Sequence, residues 1–227
     1  MQEKVSIIIP ACNEEKYIAR TLESVKEQSY PRIETIVVCD SCTDDTKRVA
    51  SKYKAKIYYV QARKPGVAKN VGASNAASEH YIFLDADTTI SKNGVRDIMR
   101  ELTRENEFGT LKVKPYPKKA IASMLMALKN LAFTLHLYPG SNGLIFCRKS
   151  LFNKVGGFDT SLYRYEDGDF THKALLYGKY SFIRSSNAAT SIRRFERLGY
   201  FNVMLFWVRV FLQHRRGQNN GKYPLIR

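Results

Sequence analysis

The strongest constraint on the fold is a regular alternation of short apolar runs and helix-like segments over the first ninety residues. The apolar runs, rich in Ile, Val and aromatic residues, cover residues 5–10, 33–40, 57–60 and 81–87. Strands that alternate with helices at this spacing predict an α/β fold with a parallel, doubly wound sheet. The runs are continuously apolar, which is typical of strands covered on both faces.

Polar and small residues predict the helices between these strands. Asn13 is a suitable N-cap for a helix over residues 14–28, and Thr43 is a suitable N-cap for a helix that begins at Asp44. A third helix, rich in Gly and Ala, is predicted over residues 66–77.

The pattern loosens after residue 87. Helices are predicted over residues 91–105, 121–138 and 166–177, and strands over residues 108–114 and 142–148. We place the boundary between a nucleotide-binding half (residues 1–90) and an acceptor half (residues 91–190) near residue 90. Residues 191–227 are then a basic C-terminal tail with an amphipathic helix.

The chain is strongly basic, above all near its C-terminus. It has 37 Lys and Arg against 21 Asp and Glu, a net charge of +16, and residues 179–227 hold ten Lys and Arg against one Glu. Nucleic acid, anionic lipid and nucleotide phosphates are all polyanions that such a tail attracts, and a solvated basic face explains it equally well. Nothing like a signal peptide precedes residue 5, so we expect a cytoplasmic protein.

An apolar stretch over residues 198–212 lies inside this basic tail. As a helix it would measure roughly 22 Å, which is shorter than the ~30 Å hydrocarbon core of a bilayer. Arginines flank it on both sides: Arg193, Arg194, Arg197, Arg215 and Arg216. We expect residues 193–216 to contact the inner face of the cell membrane as an in-plane helix. The alternatives for this helix are packing on its own domain or on a second subunit in a homodimer. Residues 121–138 could belong to the same membrane surface, and a buried core helix explains them equally well.

Asp85 and Asp87 stand two residues apart at the end of a buried strand, so their side chains are expected to point to the same side. Parallel sheets bind ligands beyond the carboxyl ends of their strands. Two carboxylates at such a short distance repel each other unless a cation lies between them. Carboxylate ligands suit a Mg²⁺ or Mn²⁺ ion that bridges a diphosphate. A strand end followed by an Asp-rich turn is the alternative explanation.

Polar residues also follow the other predicted strands: Asn13 and Glu14, then Asp40, then Arg63 and Lys64. A carboxylate such as Asp40 can accept a hydrogen bond from a nucleobase N–H, and the basic side chains together with Lys69 can face phosphates. Gly66 is expected to let the backbone approach the ligand closely. Glu14 as a helix-terminal charge and Lys69 as a solvated residue are the alternatives.

Cys39 and Cys42 form a C-x-x-C pair, a spacing found in redox and zinc sites. Cys12 and Cys147 lie far from this pair and supply no second pair, which weakens the case for zinc. We expect the thiols to be reduced and without a functional role.

The chain contains, in this order, the segments IIIPACNEEKYI, VVCDSCTDDT, KPGVAKNVGASNAA and YIFLDADTT. Further on it contains VGGFDTSL and YEDGDFTHKAL. Together they resemble the successive motifs of family 2 glycosyltransferases, the inverting group with the GT-A fold, including a Gly-Gly-Phe-Asp turn and a Glu-Asp-x-Asp segment. The resemblance covers residues 5 to about 178.

The resemblance implies transfer of a sugar from a UDP- or GDP-linked donor to a hydroxyl or lipid-linked acceptor. It implies a divalent cation, Mn²⁺ or Mg²⁺, bound by Asp85 and Asp87, nucleobase recognition by Asp40, and Asp167 as the catalytic base. The implied nucleotide-sugar contacts are Pro10, Ala11, Asn13, Glu14, Asp40, Arg63, Lys64, Gly66, Lys69, Asp85, Ala86 and Asp87.

The chain departs from the family pattern in two places. The family often has two acids where this chain has Cys39 and Asp40, so fewer contacts to the base or ribose are expected. The Q-x-x-R-W motif of processive synthases is absent, and the nearest basic segment covers residues 192–195. We therefore expect a single transfer rather than polymerisation.

The chemistry of inverting transfer also points to the acids near residue 167. Such a transfer needs one base, opposite the leaving group, to take the proton of the acceptor hydroxyl. Glu166, Asp167 and Asp169 begin a predicted helix, where the helix dipole favours carboxylates, and a charged helix N-terminus is the alternative explanation.

The sequence also bears on three other classes of protein. Residues 85–89 resemble the D-x-D-x-T motif of haloacid-dehalogenase-type phosphatases, but that motif normally ends the first strand of its domain, and three strand–helix units precede it here. A nicotinamide-binding dehydrogenase is excluded because no G-x-G-x-x-G follows the first strand. A nucleic-acid-binding module would use the basic tail, but four strand-end acids oppose phosphate binding without a metal.

Overall fold

The computed structural model describes residues 2–103, 106–135, 140–141, 143–205 and 209. In these residues one eight-stranded sheet is flanked by helices. The strands are β1 (Val5–Ala11), β2 (Ile33–Asp40), β3 (Lys56–Val60), β4 (His80–Leu84), β5 (Thr88–Ile90), β6 (Asn106–Tyr116), β7 (Leu144–Arg148) and β8 (Lys179–Ser191). The helices are α1 (Ile18–Lys26), α2 (Thr46–Ser51), α3 (Pro65–Ser74), α4 (Gly94–Thr103), α5 (Ala120–Thr134), α6 (Lys149–Val155), α7 (Glu166–Ala174) and α8 (Arg193–Leu198).

The strand order is β3-β2-β1-β4-β7-β6-β8-β5. The first four strands in this order are all parallel, as predicted. β7 runs antiparallel to both β4 and β6, β6 and β8 are parallel, and β5 is antiparallel to β8. The α/β class is therefore confirmed, and the loops after β1, β2, β3 and β4 all emerge at one edge of the sheet.

Helices cover both faces of the sheet. Ile7 and Ile9 of β1 pack into a cluster with residues of α1 and α4, whereas Ile8 packs into a second cluster with residues of α3, α6 and α7. All three side chains are 0% exposed. Most positions of a strand buried on both faces are apolar, which explains the apolar run in the sequence.

α1 and α2 begin later than predicted, at Ile18 and Thr46. Asn13 is not the cap of α1, because its φ is 56° and its side chain accepts a hydrogen bond from the Thr43 N–H at 2.7 Å and donates to the Thr43 hydroxyl at 2.9 Å. The two predicted caps thus bind each other and join the loops that follow β1 and β2. The carboxylate of Asp44 instead accepts a hydrogen bond from the Thr46 N–H.

After residue 87 the structure contains elements that the sequence pattern did not predict: β5, α6 and β8. β4 ends at Leu84 rather than at residue 87, so Asp85 and Asp87 lie in the turn to β5. β8 has little apolar alternation and exists because it pairs with β6 along the whole length of that strand. Residues 136–138 and Asn142, which belong to the predicted 121–138 helix and 142–148 strand, lie outside the described residues.

The basic tail is described only in part. After α8 the chain is helical again over residues 200–205, whereas residues 206–208 and 210–227 of the predicted C-terminal helix and tail lie outside the described residues. No helix in the described part of the chain is long and apolar enough to cross a bilayer.

Candidate active site

The turn between β4 and β5 carries the two aspartates. The Asp85 N–H donates to the carbonyl of Gly143 at 2.8 Å, and the Thr88 N–H donates to the carbonyl of Asp85 at 3.0 Å. Gly143 has a φ of 75°, and a Cβ there would lie 2.5 Å from the Thr88 hydroxyl oxygen, so glycine is required. The loop before β7 therefore helps to fix the position of Asp85.

Lys69 of α3 lies at the centre of the site, although it is only 2% exposed. Its Nζ donates to the carboxylate of Glu166 at 2.9 Å and to the carboxylate of Asp167. Burial alone would lower the pKa of Lys69, but the charges of Asp167 and Glu166 raise it above its ordinary value. The side chain therefore stays protonated and joins α3 to the first turn of α7.

Asp167, the predicted base, has a hydrogen bond on each carboxylate oxygen. Lys69 donates to Oδ1, and the Ser141 hydroxyl donates to Oδ2 at 2.7 Å. Among the three acids that begin α7 it is the most accessible, because its side chain is 22% exposed against 11% for Glu166 and 7% for Asp169.

Negative charge accumulates around Asp85. Burial raises the pKa of Asp85 to about 7; the charge of Lys69 opposes this rise, and the carboxylates of Asp167, Asp87 and Glu166 add to it. A cation bound beside these carboxylates would relieve the repulsion between them.

Arg193, the first residue of α8, lies at this site although we expected it to face a membrane. Its guanidinium donates to both carboxylate oxygens of Glu14, at 2.8 and 2.5 Å, and lies 3.2 Å from the Asp87 carboxylate. It also covers the ring of Tyr17, 4.3 Å from the centroid. Its side chain is 19% exposed, and its contacts join the β1 loop to the Asp85–Asp87 turn.

Glu14 is half-buried beneath this contact. Burial raises its pKa, and the hydrogen bonds and charge of Arg193 oppose the rise. Glu14 is therefore not merely a charge near a helix end. It binds Arg193, which lies 179 residues further along the chain.

Asp40, at the end of β2, is 3% exposed. Its Oδ1 accepts hydrogen bonds from the backbone N–H groups of Ala62 and Arg63, at 2.9 and 2.8 Å, and its Oδ2 accepts one from the N–H of Lys64 at 2.8 Å. Asp40 therefore holds the loop that follows β3. The same loop contains Arg63 with a φ of 53°.

Lys64 and Gly66 contact the segment that precedes α7. The Lys64 Nζ donates to the carbonyl of Thr160 at 2.9 Å. A Cβ on Gly66 would lie 3.3 Å from the carbonyl oxygen of Asp159 and from the Cβ of Phe158. Gly66 therefore permits a close approach to the Gly-Gly-Phe-Asp turn.

The remaining predicted contacts lie at the same edge of the sheet. Pro10 and Ala11 end β1, and the carbonyl of Ala11 accepts a hydrogen bond from the Cys42 thiol at 3.3 Å. Ala86 is buried in the turn after β4, and its carbonyl accepts a hydrogen bond from the Thr21 hydroxyl at 2.8 Å. These residues present backbone rather than side-chain groups.

The four cysteines are free thiols. A hydrogen bond with Cys39 lowers the pKa of Cys42 to about 7, burial opposes this, and the N–H of Asn13 adds to the lowering.

Within the described residues, no group of three or more His, Cys, Asp or Glu side chains could hold a metal ion.

Residues 6–158, more than half of the chain, match the sequence model of glycosyl transferase family 2. The chain belongs to glycosyltransferase family 2. Membership of this family excludes the phosphatase interpretation of residues 85–89.

Curated relatives of this glycosyltransferase include two staphylococcal enzymes. The 4,4'-diaponeurosporenoate glycosyltransferase of Staphylococcus haemolyticus is 34% identical over 122 residues, and the poly(ribitol-phosphate) beta-N-acetylglucosaminyltransferase TarS of Staphylococcus aureus is 35% identical over 102 residues. The alignments cover 50% and 41% of this chain. They cover 32% and 18% of the relatives, so the chain spans about a third or less of the curated relatives it matches.

Solved structures resemble the glycosyltransferase over most of its length. TarS 1-349 of Staphylococcus aureus in complex with UDP aligns with a TM-score of 0.68 and 27% identity, covering 85% of this chain and 62% of that one. The mannosyltransferase PcManGT from Pyrobaculum calidifontis, in complex with GDP-Man and Mn²⁺, aligns with a TM-score of 0.67 and 17% identity. This alignment covers 99% of this chain and 66% of PcManGT. The GT-A-type fold that the motifs implied is thereby confirmed.

In this family 2 glycosyltransferase the predicted residues form two groups. One is a charged cluster that contains Glu14, Lys69, Asp85, Asp87 and Asp167. The other surrounds the loop after β3 and contains Asp40, Arg63 and Lys64.

Three side chains at the site were not predicted: Arg20, Ser141 and Arg193. Arg20 donates to the carbonyl of Asp87 at 3.1 Å, and its guanidinium lies 3.4 Å from the centroid of the Tyr116 ring. Arg20 and Ser141 lie outside the motif positions that pointed to the site. Arg193 lies in residues 192–195, the basic segment nearest to the absent Q-x-x-R-W motif, but that segment was not assigned to the site.

Proposed function

We propose that this glycosyltransferase moves a sugar from a UDP-linked donor to an acceptor hydroxyl in a single displacement that inverts the anomeric centre. The position of Asp167 carries the proposal: it is joined through Lys69 to the nucleotide-binding half, at the edge where the loops after the parallel strands meet. Ligands bind at this edge in open α/β sheets. The structures of TarS 1-349 with UDP and with UDP-GlcNAc support UDP, and GDP is the alternative donor nucleotide.

Asp167 acts as the base. It accepts the proton of the acceptor hydroxyl while that oxygen bonds to the anomeric carbon and the bond from this carbon to the diphosphate oxygen breaks. Lys69 and Ser141 each hold one carboxylate oxygen, so the base is oriented before the substrates bind.

The donor lies across the loops after β1 to β4. Arg193 lies beside Asp87 and supplies positive charge near the diphosphate. Asp40 shapes the nucleobase pocket through the loop after β3, and its Oδ2, which accepts one backbone hydrogen bond, retains a lone pair for a base N–H. The names of two relatives specify diaponeurosporenoate and poly(ribitol-phosphate) glycosylation; for this chain we propose a lipid-linked or membrane-proximal acceptor.

Asp85 and Asp87 are the residues that would hold a divalent cation. The donor set fits, because carboxylate oxygens are the ligands that Mg²⁺ and Mn²⁺ prefer. Burial is the main cause of the raised pKa of Asp85, and the nearby carboxylates of Asp167, Asp87 and Glu166 add to the rise. Two carboxylates leave the remaining coordination positions to phosphate oxygens and water. When bound, the cation would neutralise charge on the leaving diphosphate.

Thermal unfolding with a panel of UDP- and GDP-sugars, with and without Mn²⁺ or Mg²⁺, tests the donor site. A ligand at a hundred times its Kd stabilises the folded protein by about 2.7 kcal/mol, which raises Tm by roughly 5–10 °C for a protein of this size. We expect this rise with a UDP-sugar and a cation together, and its loss in Asp87→Ala. Asp45→Ala, which removes an exposed carboxylate paired with Arg48, is the control and should keep it.

A cation-independent rise, or an unchanged rise in a folded Asp87→Ala variant, would contradict the metal site. Stabilisation by GDP-sugars alone would overturn the choice of UDP.

A further inference from the structure

α5 presents an apolar face to solvent. Its inward side chains, Ala122, Met126 and Phe133, are buried. Five large outward side chains, four in α5 and one directly after it, are each more than half exposed: Ile121 (54%), Met124 (58%), Leu128 (58%), Leu131 (53%) and Leu135 (57%). They recur at intervals of three and four residues, so they form one stripe along the helix, which we call the outer stripe. A helix at a solvated surface normally carries polar residues in this position.

The charged residue of α5 does not interrupt the outer stripe. Lys129 lies to one side, where its Nζ donates to the carbonyl of Ser141 at 3.1 Å. The stripe is therefore a continuous apolar surface about 20 Å long, at the 1.5 Å rise per residue of a helix.

A second group of exposed apolar side chains adjoins the start of α5. In the helical segment 200–205, Val203 is buried, whereas Phe201 is 70%, Met204 48% and Leu205 39% exposed. Ile121 of the outer stripe and Tyr200 line the same groove, so this segment lies next to the first turn of α5. Exposed apolar surface of this extent marks an interaction site.

Basic side chains lie at the same end of the surface. Lys118 and Lys119 precede α5 and are exposed, and Arg197 of α8 is exposed as well. Lys119 forms an ion pair with Glu196 at 2.7 Å, which joins the start of α5 to α8. Apolar side chains next to Lys and Arg suit an anionic lipid surface. The apolar side chains enter the acyl boundary, and the basic side chains meet the headgroups.

We propose that the outer stripe of α5, together with Phe201, Met204 and Leu205, docks this protein on an anionic lipid bilayer. Charge favours lipid over a second copy of the chain. Two copies of a protein with a net charge of +16 repel each other, whereas anionic headgroups attract the exposed Lys118, Lys119 and Arg197.

Docking through α5 would place the active site at the lipid surface. Lys129 of α5 binds Ser141, and Ser141 binds Asp167, so two hydrogen bonds join the docking helix to the proposed base. The docking itself does not depend on sugar transfer, so it can be tested without a donor or an acceptor.

Flotation of the full chain with vesicles tests the proposal. We expect binding to vesicles of phosphatidylcholine with phosphatidylglycerol, weaker binding to phosphatidylcholine alone, and a decline as salt is raised. The double variant Leu128→Gln/Leu131→Gln, which changes only exposed side chains, should lower the partition coefficient about tenfold or more. Leu175→Gln/Leu176→Gln, which changes the 43% and 75% exposed leucines after α7, is the matched control and should bind like the unmodified chain.

Circular dichroism of both variants establishes that they are folded, independently of whether a nucleotide sugar binds. The proposal is overturned if the unmodified chain binds neither kind of vesicle. It is overturned as well if Leu128→Gln/Leu131→Gln and Leu175→Gln/Leu176→Gln bind the vesicles equally well. It is also overturned if sedimentation shows a dimer that Leu128→Gln/Leu131→Gln dissociates, because the outer stripe is then a subunit interface.

Discussion

Lys69 illustrates how a single residue connects the two halves of the site. A buried charge is tolerated when it is paired, and the ammonium group of Lys69 is paired with Glu166 and Asp167. The sequence suggested a contact with donor phosphates for this residue. In the folded chain its hydrogen bonds position the candidate base, and these pairings explain why the lysine can be buried.

The role of Asp167 is testable by an isosteric change. Asp167→Asn keeps the shape of the side chain but removes its ability to accept a proton, so we expect turnover to fall by roughly 10²–10⁴-fold. Donor-dependent stabilisation should persist, because Asp167 does not belong to the proposed donor contacts. Initial rates of sugar transfer to a hydroxyl acceptor measure the effect.

Asp169→Asn is the control, since that carboxylate is paired with Lys173 at 2.7 Å and is largely buried. Asp169→Asn should turn over like the unmodified enzyme. Turnover of Asp167→Asn close to that of the unmodified enzyme would remove Asp167 from the role and leave Glu166 as the candidate, or Asp169 if its own variant loses turnover. A small loss with an anionic phosphate acceptor would indicate that the acceptor needs no base.

At the scale of elements, the position of α3 depends on how closely it approaches the sheet. A Cβ on Gly72 would lie 2.3 Å from the Cγ2 of Ile8 and 3.3 Å from the Cγ2 of Val38. Both are branched core side chains of β1 and β2 that cannot move aside without displacing their neighbours. Since α3 also carries Lys69, this packing sets the depth at which the lysine enters the site.

We therefore expect Gly72→Ala to lower the free energy of unfolding by about 1–3 kcal/mol, the usual cost of overpacking a core. Ser74→Ala, at the exposed end of the same helix, should change it by less than about 0.5 kcal/mol. Urea denaturation followed by circular dichroism measures both. Equal midpoints for Gly72→Ala and the unmodified chain would show that α3 can shift outward at little cost.

At the scale of the whole molecule, Glu34 of β2 joins several elements through one buried carboxylate. It accepts hydrogen bonds from the Ser6 hydroxyl of β1 at 2.6 Å, from the Lys56 ammonium of β3 at 2.6 Å, and from the Ala77 N–H before β4 at 2.8 Å. Burial alone would raise its pKa, but these hydrogen bonds lower it to about 2.

This pKa predicts how the stability of the protein depends on acid. Glu34 has a lower pKa in the folded chain than the ordinary 4.5, so its ionised form stabilises the fold above pH 4.5, and this contribution is lost as the pH falls towards 2. The difference corresponds to about 3 kcal/mol. At neutral pH, Glu34→Gln should be less stable than the unmodified chain by up to this amount. Between pH 4.5 and 2 it should lose less stability than the unmodified chain does.

Urea denaturation at a series of pH values makes the comparison. Glu23→Gln, which removes an exposed carboxylate paired with Lys26, is the control and should follow the unmodified chain. Parallel pH profiles for Glu34→Gln and the unmodified chain would show that Glu34 does not account for acid sensitivity.

The sequence predicted the first half of the fold well because each strand there is a continuous apolar run followed by polar residues at the edge of the sheet. β2 has the bounds that its pattern indicated, whereas Asn13 and Thr43 were assigned to helix caps that the structure places elsewhere. In the second half, β8 was missed because its pairing with β6 depends on a partner more than sixty residues away in the chain.

The amino-acid sequence by itself determined the α/β alternation, the family, and the chain positions of the acids and the lysine at the site, because apolar periodicity and local motifs are written in consecutive residues. Only the tertiary structure decided what these groups contact. Arg193 reaches Glu14 and Asp87 because the chain returns along β8 to the edge where β1 and β4 end. The exposed face of α5 is also a tertiary property, since an apolar helix has the same sequence whether or not another element covers it.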